Sequence, residues 1–258
     1  MKRIASAANP QYKAWLKLAR DPRAVRQQGM TLAEGAHLAE AALAAGASIA
    51  GVLLRAGSDS RQRAALLERL AHLPAAELAA PLFDALGLVE HGIGLALALR
   101  VPAESTARLA GDALYLDGVQ EPGNAGALLR VAAAAGVRHV LAAPATTALW
   151  SPKVLRGAQG AHFLLDLREN IAADQLSAVG GCWIATSPAD AESLWQAAFP
   201  PGPIGWVVGS EGRGVSPAAL AACTRRVAIP LAPGMESLNV ATAAAVCLFE
   251  RRRRLLVN

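Results

Sequence analysis

The most constraining feature of this 258-residue chain is the regular alternation of apolar runs and helix-forming stretches beyond residue 112. Short apolar runs at 113–117, 139–143, 162–165, 182–186, 204–209 and 226–229 read as strands. Helices fit between and after them at 124–135, 152–158, 217–223 and 238–253. Strands separated by helices predict an α/β fold with a parallel sheet covered on both faces.

The region before residue 100 alternates less regularly. Residues 10–19 place Tyr12, Trp15, Leu16 and Ala19 on one helical face. A second helix over 36–45 is stopped at Gly46, a strand spans 49–54, a helix 61–70 and a buried strand 93–99. The stretch RVPAESTARLAGD, 100–112, mixes Pro, Ser, Thr and charge between apolar runs, and so reads as a connection. The expected organisation is a small α/β domain over 1–103, a linker over 104–112 and a larger α/β domain over 113–258.

Net charge is +5, but it is not evenly spread. Residues 1–30 carry Lys2, Arg3, Lys13, Lys17, Arg20, Arg23 and Arg26 against Asp21 alone, and Arg251 to Arg254 form a basic run near the other end. Such segments suit a polyanion such as nucleic acid, or are a solvated helix face beside a basic tail. No apolar run approaches the roughly 18 residues of a membrane span, and the start of the chain lacks the apolar core of a signal peptide. Three cysteines at wide spacing contain no CxxC pair, so neither a disulfide framework nor a zinc site is encoded. The five histidines (His37, His72, His91, His139, His162) form no i, i+4 pair, so no metal is expected. A reducing cytoplasm is the expected location.

In open α/β sheets, ligands bind beyond the carboxyl ends of the strands. Three loops there carry polar residues. DGVQEPGNAGALLR, 117–130, turns at Pro122-Gly123, and Asn124 is placed to cap the helix that follows. Gly126 permits close approach of another backbone, and Arg130 falls six residues after Asn124. GSEGRGVSP, 209–217, has three glycines around Glu211 and a Ser216-Pro217 helix start. Its order, G-x-x-G-x-G, is not the dinucleotide fingerprint, and no phosphate-loop motif or G-x-S-x-G elbow occurs. The third loop ends a strand at Ile229-Pro230-Leu231 and opens a long helix at Ser237-Leu238-Asn239, where Ser237 is the default cap. Each loop alone is also consistent with an ordinary connection.

Together the three loops resemble the ordered motifs of the SpoU (TrmH-type) RNA ribose methyltransferases of the SPOUT superfamily. Asn124, Gly126 and Arg130 match N-x-G-x-x-x-R; Gly209, Glu211, Gly212 and Gly214 match G-x-E-G-x-G. Ile229-Pro230 and Ser237 to Val240 match I-P followed by S-L-N-V, and SPKVLRGAQGAHF between them also matches. The segment LAEGAHLAEAALAAG and Ile4, Ser6, Asn9, Pro10 and Lys13 are similar to the ribosomal-protein-like (L7Ae/L30e-like) RNA-binding domain that precedes many SpoU domains.

The resemblance implies methyl transfer from S-adenosylmethionine to a ribose 2′-hydroxyl of RNA, a C-terminal trefoil knot and a homodimer. It makes Arg130 the catalytic arginine and Asn124, Glu211, Ser237 and Asn239 the polar residues that order the site. It assigns the cofactor to Gly209, Ser210, Glu211, Gly212, Ile229, Leu231 and Leu238. Lys13, Lys17 and Arg20, with Arg130, become the RNA contacts. Ribosomal RNA is the expected substrate because an RNA-binding leading domain suits a large folded RNA. Transfer RNA is the alternative within the class, and an RNA-binding protein without catalysis the alternative outside it. A nucleotide-binding oxidoreductase suffers from the missing fingerprint.

Overall fold

The computed structural model describes residues 1–89, 92–187 and 190–257. His91, one of the five histidines, and residue 258, the end of the expected larger domain, lie outside the described residues. The chain forms two compact units, one of residues 1–103 with 150–163, the other of 104–149 with 164 onward. The larger domain was expected to be continuous from 113, whereas the segment Trp150–Phe163 packs with the first unit.

In the first unit, β1 (Lys2–Ile4) leads to α1 (Pro10–Arg20) and α2 (Pro22–Gln28). There follow β2 (Met30–Glu34), α3 (Ala36–Ala44), β3 (Ile49–Arg55), α4 (Arg61–Arg69), β4 (Ala75–Leu78), α5 (Ala80–Asp84) and β5 (Leu95–Arg100). The strands form a five-stranded sheet in the order β1-β4-β3-β5-β2. Asn9 starts α1 by accepting the Gln11 and Tyr12 amides, with Pro10 as the first helical residue. The buried face of α1 is Tyr12, Trp15 and Leu18, not Leu16, because the helix is rotated so that Leu16 and Ala19 are only half-buried. Lys13, Lys17 and Arg20 lie on the exposed side. Thr31 of β2 donates to the Trp150 carbonyl at 2.6 Å, tying residues 150–163 to this unit.

The second unit runs β6 (Ala113–Asp117), α6 (Pro122–Ala135) and β7 (His139–Ala142). The chain then contributes α7 (Pro152–Ala158) to the first unit and returns with β8 (Asp166–Arg168), α8 (Leu176–Val179), β9 (Cys182–Thr186) and β10 (Glu192–Ser193). It finishes with β11 (Ile204–Gly209), α9 (Pro217–Ala221), β12 (Arg225–Ala228) and α10 (Val240–Val257). Seven strands pair in the order β10-β12-β9-β11-β6-β7-β8, and every pairing is parallel. The central strand β11 is buried along its whole length. On one face Tyr115, Leu141, Trp183 and Val207 pack with Leu176 of α8 and Ala219 of α9. On the other, α10 packs along α6 and over β11. A side chain at Gly205 would lie 2.2 Å from the Trp183 ring, so only glycine fits there.

The strand expected at 162–165 is not formed. Ala161–Leu164 is a 3₁₀ turn, and the strand, β8, begins at Asp166. A short apolar run reads alike as a strand or as a buried turn. Here Gly160, at φ +88°, turns the chain, and the Phe163 amide bonds back to its carbonyl. His162, expected beside a strand, is buried with its ring 4.9 Å from that of Trp150.

The basic run near the C-terminus is not a free tail. Arg251 is buried and paired with Asp112 at 3.1 Å, and Arg252 donates to the Ala135 carbonyl at the end of α6. Arg253 and Arg254 both hold Glu250, whose carboxyl drops to about 2 because it accepts from Arg253 first and then Arg254. No helix among the described residues is long and apolar enough to cross a membrane.

Candidate active site

Parallel strands end together, so the loops after β6, β9, β11 and β12 gather at one edge of the sheet. The segments after β9, β11 and β12 line a cleft of about 670 Å³, within the range of small-molecule sites.

The loop after β11 is shaped by glycine and by two anchors. A side chain on Gly209 would meet the Gly214 carbonyl carbon at 1.9 Å, so the loop can fold back on itself only with glycine there. The Gly214 amide closes it onto the Ser210 carbonyl at 2.8 Å, with Gly214 at φ +66°. The Ser216 amide donates to the Asp117 carboxylate at 2.6 Å, and the Ser216 hydroxyl caps α9 through Ala219.

The helix starts differ from expectation. Glu121, not Asn124, caps α6, because the helix begins at Pro122 and leaves Asn124 inside its first turn. Asn239, not Ser237, caps α10, accepting from the Ala241 and Thr242 amides at 2.9 and 3.2 Å. Asn124 thus has no cap to serve, and the α10 cap uses only the oxygen of Asn239. The Asn239 oxygen is committed to the cap, so its Nδ2 donates to Asn124 Oδ1 at 2.9 Å. That orients Asn124 Nδ2 toward Glu211, whose Oε1 accepts from it. One residue from each of the three motifs is thus joined in a single hydrogen-bonded chain.

Of the residues assigned to the cofactor, Gly209, Ser210, Glu211, Ile229, Leu231 and Leu238 line the cleft; Gly212 does not. Ser237 lines it too, while Asn124 and Asn239 stand behind Glu211. Arg130 is exposed on α6 and does not line the cleft. Six residues along the helix place it about 120° around from Asn124. Lys13, Lys17 and Arg20 belong to the first unit, where Arg20 holds the Ala85 carbonyl at 2.9 Å.

Thr186, Arg213, Met235 and Glu236 also line the cleft and were not singled out from the sequence. Arg213 lies inside the second motif, Met235 and Glu236 lie between the two parts of the third, and Thr186 ends β9; only the topology of β9, β11 and β12 brings them together. Burial pushes the Cys223 and Cys247 thiols up to about 12, so neither supplies a thiolate near neutral pH. Among the described residues no group of His, Cys, Asp and Glu is placed to hold a metal ion.

A parallel α/β unit with a cleft over its strand ends and glycine-bearing loops beside it is the arrangement of an α/β protein that binds a small molecule there. Residues 113–249 match the model of the SpoU rRNA Methylase family. An uncharacterized tRNA/rRNA methyltransferase of Synechocystis is 34% identical over 97% of this chain and 93% of its own. The 23S rRNA (guanosine(2553)-2′-O)-methyltransferase of Bacillus subtilis is 32% identical over 98% of this chain and 100% of its own. A solved RNA 2′-O ribose methyltransferase superimposes with a TM-score of 0.79 at 31% identity, covering 98% of this chain and 99% of that one. The chain belongs to the SpoU rRNA Methylase family.

Proposed function

We propose that the protein transfers the methyl group of S-adenosylmethionine to a ribose 2′-hydroxyl in RNA, with ribosomal RNA as substrate. The observation that carries this is the chain Asn239–Asn124–Glu211, which draws all three motifs to the rim of one cleft. Family membership and the likeness to a 23S rRNA 2′-O-methyltransferase over 98% of this chain support the ribosomal RNA reading over transfer RNA. An RNA-binding protein without catalysis would have no need of this buttressed Glu211 loop.

The cleft fits the cofactor. Ile229, Leu231, Leu238 and Val240 offer apolar surface for a flat purine. Among the described residues, the segment 229–238 shows one main-chain hydrogen bond outside regular elements, Met235 N–H to Ala232 C=O, and its other amides and carbonyls are available to the polar edges of adenine and ribose. When bound, S-adenosylmethionine supplies an electrophilic methyl group on a sulfonium. The chain's own task is to hold the attacking hydroxyl in line with it, so positioning dominates. Asn124 and Asn239 hold Glu211 at the rim, and Ser237 offers a hydroxyl to the ribose. An arginine with a pKa above about 12 is a poor base. Arg130 therefore clamps an RNA phosphate and orients the 2′-hydroxyl.

The same reading includes a trefoil knot in the C-terminal domain, an L7Ae/L30e-like N-terminal domain over 1–103 and a linker over 104–112. Generic chain topology disfavours knots, so the knot rests on family likeness. Lys13, Lys17 and Arg20 recruit RNA, the enzyme is a homodimer without a metal, and it acts in the cytoplasm. Titration calorimetry with S-adenosylmethionine, followed by labelled methyl transfer to bulk RNA from a strain lacking the gene, tests the proposal. Heat of binding and one mapped 2′-O-methyl site are expected; absence of both contradicts it.

A further inference from the structure

Arg213 has no part in the chemistry above, yet its setting is unusual for a surface arginine. It lies midway along the loop after β11, between two glycines, Gly212 and Gly214. That loop is held on both sides, by the end of β6 and by the first turn of α6. Glu211 receives the Asn124 amide, and the Ser216 amide is held by Asp117 at 2.6 Å. The turn between them is closed by Gly214 N–H to Ser210 C=O. The backbone that carries Arg213 is therefore fixed, while its glycine neighbours have no side chains to shield it.

The charge of Arg213 is also uncommitted. It is exposed, and among the described residues its side chain makes no hydrogen bond or ion pair. Four other arginines of this unit are engaged, Arg168 by Asp166, Arg225 by Glu192, Arg251 by Asp112 and Arg254 by Glu250, while Arg130 and Arg138 are exposed away from the cleft. Among the described residues lining the cleft, Arg213 is the one cation, at the rim rather than among the apolar residues.

We propose that Arg213 binds a backbone phosphate of the RNA substrate at the mouth of the cleft, next to the target ribose. The inference rests on the RNA methyltransferase reading of this site. A 2′-hydroxyl is always within a few ångströms of the phosphate on its own 3′ side, so an enzyme that seats that hydroxyl must also seat a negative charge. A guanidinium grips a phosphate through two parallel N–H···O bonds, which fixes orientation as well as distance. Exposure favours RNA over the carboxylate of the cofactor, because a rim cation meets a large ligand from solvent without being buried.

The test uses the full-length enzyme saturated with S-adenosylhomocysteine, and in vitro transcribed 23S rRNA as probe. Arg213→Gln is expected to weaken RNA binding about tenfold or more near physiological salt. It should also lower the slope of log affinity against log salt by about 0.7–0.9, one phosphate's worth. S-adenosylmethionine affinity, by calorimetry, should stay within about twofold of the parent. Arg213→Lys should keep the slope and recover part of the affinity. Arg138→Gln, an exposed cation at the opposite end of the strands, should change neither quantity.

An unchanged RNA affinity and slope in Arg213→Gln overturns the inference. So does a loss of cofactor affinity with RNA binding intact, which would make Arg213 a contact for the cofactor carboxylate. If the parent enzyme neither binds nor methylates the transcript, the reading of the site itself fails and takes this inference with it.

Discussion

Asn239 donates from Nδ2 to Oδ1 of Asn124 across 2.9 Å while its own oxygen caps α10. The start of the last helix thereby fixes which way the Asn124 amide faces, and so how Glu211 is held. Asn124→Asp keeps the shape but replaces a donor with an acceptor facing the Glu211 carboxylate. Single-turnover methyl transfer should fall about 100-fold, the scale of a misplaced reacting group. The melting temperature should stay within a few degrees. A near-parental rate would show that this hydrogen-bonded chain is not needed for catalysis.

Asp117 holds the other side of the same loop through the Ser216 amide. Asp117→Ala leaves that amide without its partner and lets the loop shift. Cofactor affinity, measured by calorimetry, should weaken about tenfold, in line with the loss of one charge-assisted hydrogen bond. Asp117→Asn still offers an oxygen to the amide and should recover most of the affinity. Equal losses in both variants would mean that charge, not loop geometry, is what Asp117 provides.

Arg130 stands apart from the cleft on α6. If it clamps a phosphate with a bidentate grip, lysine is a poor substitute. Arg130→Lys should lower the single-turnover rate by about 100-fold while leaving cofactor affinity unchanged. A rate close to that of the parent would contradict both the clamp and any role of Arg130 as a base.

In the first unit, Glu34 ends β2 as a buried carboxyl. Burial raises its pKa to about 7, against a smaller opposing effect of the Val89 amide. A raised folded-state value means that the native state holds the proton more tightly than the unfolded chain. Stability from Glu34 is therefore full below its ordinary value of 4.5 and is lost as pH rises toward 7. Glu34→Gln should flatten that decline and be more stable than the parent at pH 8. Denaturant melts at pH 5 and pH 8 check this; parallel curves for the two proteins would contradict it.

What the sequence made legible follows the physics of each element. The central strands β6, β9 and β11 were readable because buried parallel strands are continuous apolar runs bounded by turn residues. β8 was misplaced because the apolar run before it folds into a turn at Gly160, while the strand itself, Asp166–Arg168, is charged and held by side-chain pairs. Ser237 and Asn124 read as caps because both are good capping residues by type. Which residue caps depends on where the helix begins, and Pro122 and Asn239 set that. Arg251 to Arg254 looked like a basic tail because charge along a sequence does not show its partners, Asp112 and Glu250. The cleft residues Thr186, Arg213 and Glu236 come from separate strand ends, and only the strand order joins them.

The most direct test of the central claim is the chemical position of the transferred methyl group. Alkali cleaves RNA by attack of a 2′-hydroxyl on the adjacent phosphate, so a 2′-O-methyl group protects its own linkage. After transfer from methyl-labelled S-adenosylmethionine to unmodified 23S rRNA and alkaline hydrolysis, the label should be found in an alkali-stable dinucleotide. Label in mononucleotides would place the methyl group on a base, and no transfer at all would remove the catalytic claim.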